Sequence, residues 1–294
     1  MHNHSHHSDA SSARIAWAFF LNLGFSVIEL IGGWLTNSTA IMADAVHDLG
    51  DSLSIGLAWV LARLSNKPAN DQFNYGYRRF SLLGSLINCA VLIAGSLWVL
   101  GEAIPRLQNP EMPMTEGMFI LAILGILVNG FAAYKLSKGK SLNEQVLNWH
   151  LLEDVLGWVA VLIVSVVLMF VDYPILDPIL SIVFTLFIAI NVVKNLIKTV
   201  RLFLQAVPDQ AMREQIQDLL QALPDVKHIH HLHLWSLDGE HHVLSAHIVL
   251  RSSLNTEQHL KLKASIADQL IPFELEHTTI EFELDSEACR DITA

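Results

Sequence analysis

Asp44-Ala45-Val46-His47-Asp48-Leu49-Gly50-Asp51 and His150-Leu151-Leu152-Glu153-Asp154 each carry a histidine followed four residues later by an aspartate. Both lie inside long apolar stretches, 39–64 and 145–171, each long enough for a bilayer-crossing helix of ~20 mostly apolar residues. An ionisable group in such a span costs ~2.5–3.5 kcal/mol on the insertion scale, so its presence calls for a reason. Residues four apart on a helix share one face, one turn on. His47 therefore points with Asp51, and His150 with Asp154. Two such helices facing each other offer two imidazoles and two carboxylates.

Four further stretches read as spans: 15–36, 80–101, 116–136 and 175–199. The first carries Glu29 and no small-residue cleavage site before the second span, so it does not read as a signal peptide. Helix is the only local solution where lipid faces the backbone. Turn-like breaks separate the spans: Thr36-Asn37-Ser38, Asn109-Pro110, Met112-Pro113, Lys138-Gly139-Lys140 and Tyr173-Pro174. Over the whole chain 52% of residues are apolar and 16% are charged, against about 25% charged in a soluble domain. The net charge of -11 excludes nucleic acid as a partner, because phosphate binding needs a basic face. Two cysteines, Cys89 and Cys289, are too few for a disulfide framework. Basic residues set the orientation. Arg14, Arg63, Lys67, Arg78, Arg79, Lys135, Lys138, Lys140, Lys194, Lys198 and Arg201 fall on one side of the spans and only Arg106 on the other, which predicts both termini in the cytoplasm.

Composition changes near Gln205. Residues 204–294 hold 15 acidic and 6 basic residues and nine of the 15 histidines, so this part reads as an acidic, soluble domain. Its pattern predicts a helix over 209–223 with Asp209 as N-cap, a strand over His228–Ser236, and a hairpin turn at Asp238-Gly239. A strand over His242–Leu250, a helix over Thr256–Ile271 and a strand over His277–Leu284 follow. The order αββαβ predicts helices on one face of a sheet. The chain thus divides into a flexible His-rich N-terminus (1–13), a six-span membrane domain (14–203) and a cytoplasmic α+β domain (204–294).

A set of two nitrogens and two oxygens suits Zn2+ in tetrahedral geometry, and also Co2+ and Cd2+. It disfavours Mg2+ and Ca2+, which prefer oxygen shells. No cysteine lies near the two motifs, which argues against Cu+. A single intramembrane histidine can equally be a hydrogen-bonding partner between helices; the same partner at the same spacing, twice, favours a metal. Asp51 is chosen over Asp48 by its spacing from His47. Asp44 and Asp48 read as supporting groups behind the ligands, proton carriers or solvated vestibule residues. Glu29, Asn22, Asn88, Asn129, Asn191 and Asp177 read as packing groups, and Glu153 could serve either role.

Ile41–Asp51, Phe73-Asn74-Tyr75-Gly76-Tyr77-Arg78-Arg79, the span opening at His150 and the His-rich tail together resemble the cation diffusion facilitator family, in its zinc-type members, over about residues 14–285. The resemblance implies a six-helix membrane domain with a ferredoxin-like, metallochaperone-like cytoplasmic domain. It further implies a homodimer, a bacterial inner (plasma) membrane location and export of divalent metal in exchange for protons. It assigns the transport site to His47, Asp51, His150 and Asp154, with Zn2+ as cargo and regulatory ion and no organic cofactor. The loop after span two has Asp71 but no histidine, so no loop metal site is expected, and the short loop 136–143 carries no histidine either. His2, His4, His6 and His7 could do a capture job. For the tail, the resemblance points to His228, His247 and the Glu281/Glu283 pair, with His230, His231, His233, His241 and His242 as alternatives. Strand alternation puts His231 and His233 on one face and His228 and His230 on the other. Two rival classes stand beside this reading. His230-His231-Leu232-His233 resembles a membrane metalloenzyme's histidine box, and a metal-binding tail could belong to a sensor, although no output domain is visible.

Overall fold

The computed structural model describes residues 5–65, 67–137, 142–289 and 291. Six long helices come first: α1 (Ser5–Thr36), α2 (Thr39–Ser65), α3 (Phe80–Gln108), α4 (Thr115–Leu136), α5 (Leu142–Phe170) and α6 (Leu176–Phe203). There follow α7 (Gln210–Gln221), β1 (Val226–Ser236), β2 (His242–Leu250), α8 (Thr256–Leu270), a 3-10 turn (Ile271–Phe273) and β3 (Leu275–Leu284). This is the α-helical membrane domain and αββαβ domain expected from the sequence.

Two helix boundaries differ most from the expected ones, the others moving by four residues at most. α1 starts at Ser5, inside the segment expected to be a flexible N-terminus; no Gly or Pro interrupts the chain before Gly24, so helix propagates freely. His2 and His4 lie outside the described residues, while His6 and His7 fall in the first turns of α1. α3 continues past residue 101 to Gln108 and takes in Pro105, which removes one backbone donor without ending the helix. Five of the six long helices are apolar enough to span a bilayer by length and composition; α2, which carries Asp44, Asp48 and Asp51, is the other.

The chain divides into two compact units, Met1–Val60 with Gly84–Leu196, and Leu61–Leu83 with Ile197–Ala294. In the first, α1 reverses into α2 through a Schellman turn. Asn37 adopts a left-handed φ of 55°, Ser38 N donates to Gly33 O at 3.0 Å and Asn37 N to Trp34 O at 3.2 Å. Small residues then let the helices approach. A Cβ on Gly125 of α4 would stand 2.2 Å from the ring of Trp158 on α5, and one on Gly95 of α3 would stand 2.3 Å from Val46 on α2. Trp158 is fully buried with Phe25, Ala40, Ile41, Met118 and Ala122 around it.

In the second unit β1 pairs antiparallel with β2, and β2 pairs parallel with β3 through the α8 crossover. Leu232 and Leu234 alternate along β1, and Leu244, Ala246, Ile248 and Leu250 along β2. They meet Ile216 and Leu220 of α7 and Leu262, Ile266 and Leu270 of α8 in one core. Asp209 caps α7 by accepting from Ala211 N, and Asn255 and Gln258 form a capping box on α8. The loop between α2 and α3 belongs to this unit. The Tyr75 ring lies 6.4 Å from that of Trp235 and 5.9 Å from that of His277. Arg78 Nη2 donates to Glu276 Oε1 at 3.1 Å.

Candidate metal centre

His47 and Asp51 lie near the middle of α2, His150 and Asp154 near the start of α5, and the helices bring all four together. His47 Nε2 is 3.5 Å from Asp51 Oδ2, and His150 Nε2 is 3.7 Å from Asp154 Oδ2, each pair one turn apart on its own helix. Across the helices, His150 Nε2 is 2.9 Å from Asp51 Oδ2, and the two imidazoles meet edge to face at 5.6 Å. One ligand atom each from His47, His150 and Asp154 lies within 4.8 Å of the other two; Asp51, which approaches both histidines, is outside that group. Several of these atoms are buried without a hydrogen bond: His150 Nε2, His47 Nδ1 and Asp154 Oδ2. Short approach without hydrogen-bond direction is the geometry of donors that converge on a common point.

A cavity of about 290 Å3 opens beside the four residues, lined by Asp44, His47, Glu153, Asp154, Gly157 and Phe184 among others. Asp44 belongs to that lining, and two further acids, Asp48 and Glu29, lie near it. Asp44 is 8% exposed, while Asp48 and Glu29 are fully buried. Glu29 lies beside Asp48 and Trp158. Asn22 and Asn129 are buried, and Asn191 is exposed.

Asp177 has a separate place. It is 1% exposed at the start of α6 and accepts from Ser38 and Thr39 at the start of α2.

In the second unit the histidines gather through a backbone irregularity. His230 pairs with His247 but His233 with Ser245, so β1 carries one residue too many, and His231 takes a φ of 46°. This bulge overrides strand alternation. His230 and His231, expected on opposite faces, both bring their rings near His247, at 5.3 and 5.1 Å. Glu283 Oε2 bonds His230 Nε2 at 2.8 Å, and Glu283 Oε1 bonds His247 Nδ1 at 2.7 Å. Cys289 Sγ lies 3.6 Å from His247 Nδ1. Atoms of His230, His247, Glu283 and Cys289 all fall within 4.8 Å of one another. Of the residues singled out from the sequence, His247, Glu283 and the alternative His230 belong to this group. Glu281 Oε2 stands 3.8 Å from His247 Nε2, and the His228 ring stands 5.7 Å from that of His230; neither is in the group.

Burial works to raise the Glu283 carboxyl, yet the bonds from His230 and His247 outweigh it and hold the group below the ordinary carboxylate range. Burial and the nearby Glu283 and Asp291 carboxylates push the Cys289 thiol up. Two imidazoles, a carboxylate and a thiol form a set that fits Zn2+ or Cd2+, with the thiol proton released on binding. His241 serves the hairpin instead, its Nδ1 bonding Asp238 Oδ2 at 2.7 Å. Cys289 escaped the sequence reading because a lone cysteine beyond the last strand carries no spacing signal; Asp177 read as a packing group, but its partners, 137–139 residues away, could not be read.

Comparison with known proteins agrees with this architecture. Residues 15–204 match the family model of the cation efflux transmembrane domain, and residues 208–284 match that of the cation efflux protein cytoplasmic domain. The chain belongs to the cation efflux, or cation diffusion facilitator, family and is an integral membrane protein. It is 30% identical over 290 residues to a cadmium, cobalt and zinc/H(+)-K(+) antiporter of Bacillus subtilis, covering 96% of this chain and 92% of the relative. It is 31% identical to the zinc transporter ZitB of Pectobacterium atrosepticum, covering 96% and 88%. It is 30% identical to the metal cation efflux system protein CzcD of Cupriavidus metallidurans, covering 96% and 90%.

Proposed function

We propose that this protein is a secondary active transporter that exports divalent metal from the cytosol in exchange for protons. Zn2+ is the first cargo, and Cd2+ and Co2+ belong to the same chemical class. The observation that carries the reading is the meeting of His47, His150 and Asp154 from α2 and α5 in the membrane domain, with the Asp51 carboxylate against both histidines. Relatives named as zinc transporters and as a cadmium, cobalt and zinc/H(+)-K(+) antiporter support it.

The chemistry follows from the ligand set. Imidazole and carboxylate bind metal only when deprotonated, so arrival of the cation expels protons and arrival of protons expels the cation. Histidine titrates near ambient pH, at about 6.5 for the free side chain, so modest changes in proton activity shift the exchange. The site opens alternately to each side. Metal enters from the cytosol and leaves where protons are plentiful, and the proton gradient drives the cycle. The protein works as a homodimer in the bacterial plasma membrane with both termini and the domain from residue 204 onward in the cytoplasm. There His230, His247, Glu283 and Cys289 hold a regulatory metal ion.

Reconstituted protein under a pH gradient tests the function. Wild type moves Zn2+ against its concentration gradient, Asp154→Ala does not, and collapse of the gradient stops flux. Zn2+ movement by Asp154→Ala at the wild-type rate would remove the site assignment.

A further inference from the structure

Asp177 makes no part of the metal centre, yet its two buried oxygens take up the donors at the first turn of α2. Oδ1 accepts from Ser38 Oγ at 2.5 Å and from Ala40 N at 3.3 Å; Oδ2 accepts from Thr39 N at 2.7 Å and Thr39 Oγ1 at 2.9 Å. Ser181, one turn along α6, donates back to Thr39 O at 3.0 Å. A carboxylate held away from water must be compensated, and here the positive end of the α2 dipole and four donors do so. Arg106 Nη1 of α3 holds the adjoining Asn37 O at 2.8 Å. This end of α2 is therefore fastened to two other helices.

The first turns of α2 are closely packed: Ala40, Ile41 and Ala45 are fully buried. Further along, His47 and Asp51 are partly exposed beside the buried Asp48 and Ser52, and Val60 is 54% exposed. At 1.5 Å per residue, His47 and Asp51 lie ~12 and ~18 Å along the axis from Thr39. The helix is thus clamped at one end and carries its metal ligands about two to three turns beyond the clamp.

We infer that Asp177 is a positioning residue for transport: it pins the first turn of α2 to α6, and that pin stays closed while the rest of α2 moves to redirect the metal centre. The inference rests on the transport reading above. It makes the outer ends of α2 and α6 a pivot and not a gate.

The experiment uses full-length protein in proteoliposomes under a pH gradient. A Thr39→Cys/Ser181→Cys double variant is oxidised to join the two helix ends, with the bond verified by mass spectrometry, and Zn2+ flux is compared before and after reduction. The pivot requires equal flux in both states; flux lost on oxidation and regained on reduction overturns it. In parallel, Asp177→Asn keeps the size of the side chain but turns two acceptors into one. It is expected to lower the maximal rate about tenfold while the KM for Zn2+ stays within about threefold. A maximal rate equal to wild type, or a loss confined to KM, overturns the assignment. Wild type in the same vesicles separates the two readings, because absent flux there removes transport itself and the pivot with it.

Discussion

Asp51 Oδ2 lies 2.9 Å from His150 Nε2 on α5 but 3.5 Å from His47 Nε2 on its own helix. The carboxylate of α2 is therefore shared between helices, and the centre exists only when both are in place. Loss of a group that merely supports a ligand typically costs ~10–100-fold in metal affinity or activity. Asp51→Ala and His150→Ala should each lower Zn2+ uptake into inside-out vesicles by about 100-fold or more, with insertion and dimer size unchanged on size-exclusion chromatography. Uptake by either variant at the wild-type rate would contradict a shared site.

The balance of two nitrogens and two oxygens sets selectivity. His47→Asp changes it to one nitrogen and three oxygens, a harder set. Mn2+ should then compete measurably with Zn2+ for transport, where wild type favours Zn2+. Competition assays that show an unchanged preference would break the link between ligand type and cargo.

Gly125 lets α4 lie close to Trp158 of α5, with 2.2 Å between a built Cβ and the indole ring. Trp158 is fully buried and has no room to retreat. Gly125→Ala should destabilise the membrane domain by about 1–3 kcal/mol, the usual cost of overpacking. Thermal unfolding of the detergent-solubilised protein reads this directly.

Cys289 offers a chemical probe of the cytoplasmic cluster. Zn2+ bound by His230, His247, Glu283 and Cys289 should slow alkylation of that thiol by maleimide, and Glu283→Ala should abolish the protection. Equal alkylation with and without Zn2+ would take Cys289 out of the ligand set. Asp154→Ala protein serves as the background, so that the membrane centre does not contribute.

Asp238 gives the hairpin between β1 and β2 a pH dependence. Partial burial acts to raise its carboxyl, but bonds from the His241 and Glu240 amides and from the His241 ring prevail and hold it below the ordinary value. A group depressed on folding contributes stability above its unfolded pKa of about 3.9 and loses it as pH falls through the lower folded value. Asp238→Ala should therefore lower hydrogen-exchange protection of residues 236–242 at pH 7 by about 1–2 kcal/mol. The gap between variant and wild type should close as pH falls through the lowered value that the folded carboxyl takes.

The sequence made the membrane centre legible because one helical turn is a fixed distance: His47 with Asp51 and His150 with Asp154 follow from counting four. It could not show that Asp51 leans on His150, since that depends on how two helices are rotated against each other. The same limit applies in the tail. His247 and Glu283 stood out as strand residues of the right chemistry, but an extra residue at His231 undid the alternation that placed its neighbours. Asp209, Asp238 and Gly239 were readable because caps and turns are local. The clamp of Asp177 on Ser38 and Thr39 was not, because nothing near Asp177 in the chain hints at its partners.

The polarity of α2 reaches back to how the protein is made. Asp44, Asp48 and Asp51 weaken its tendency to partition into lipid unaided. The tight reversal at Asn37 makes α1 and α2 a hairpin. The donors of Ser38 and Thr39 at its tip stay without their carboxylate until the sixth helix, which carries Asp177, has been made.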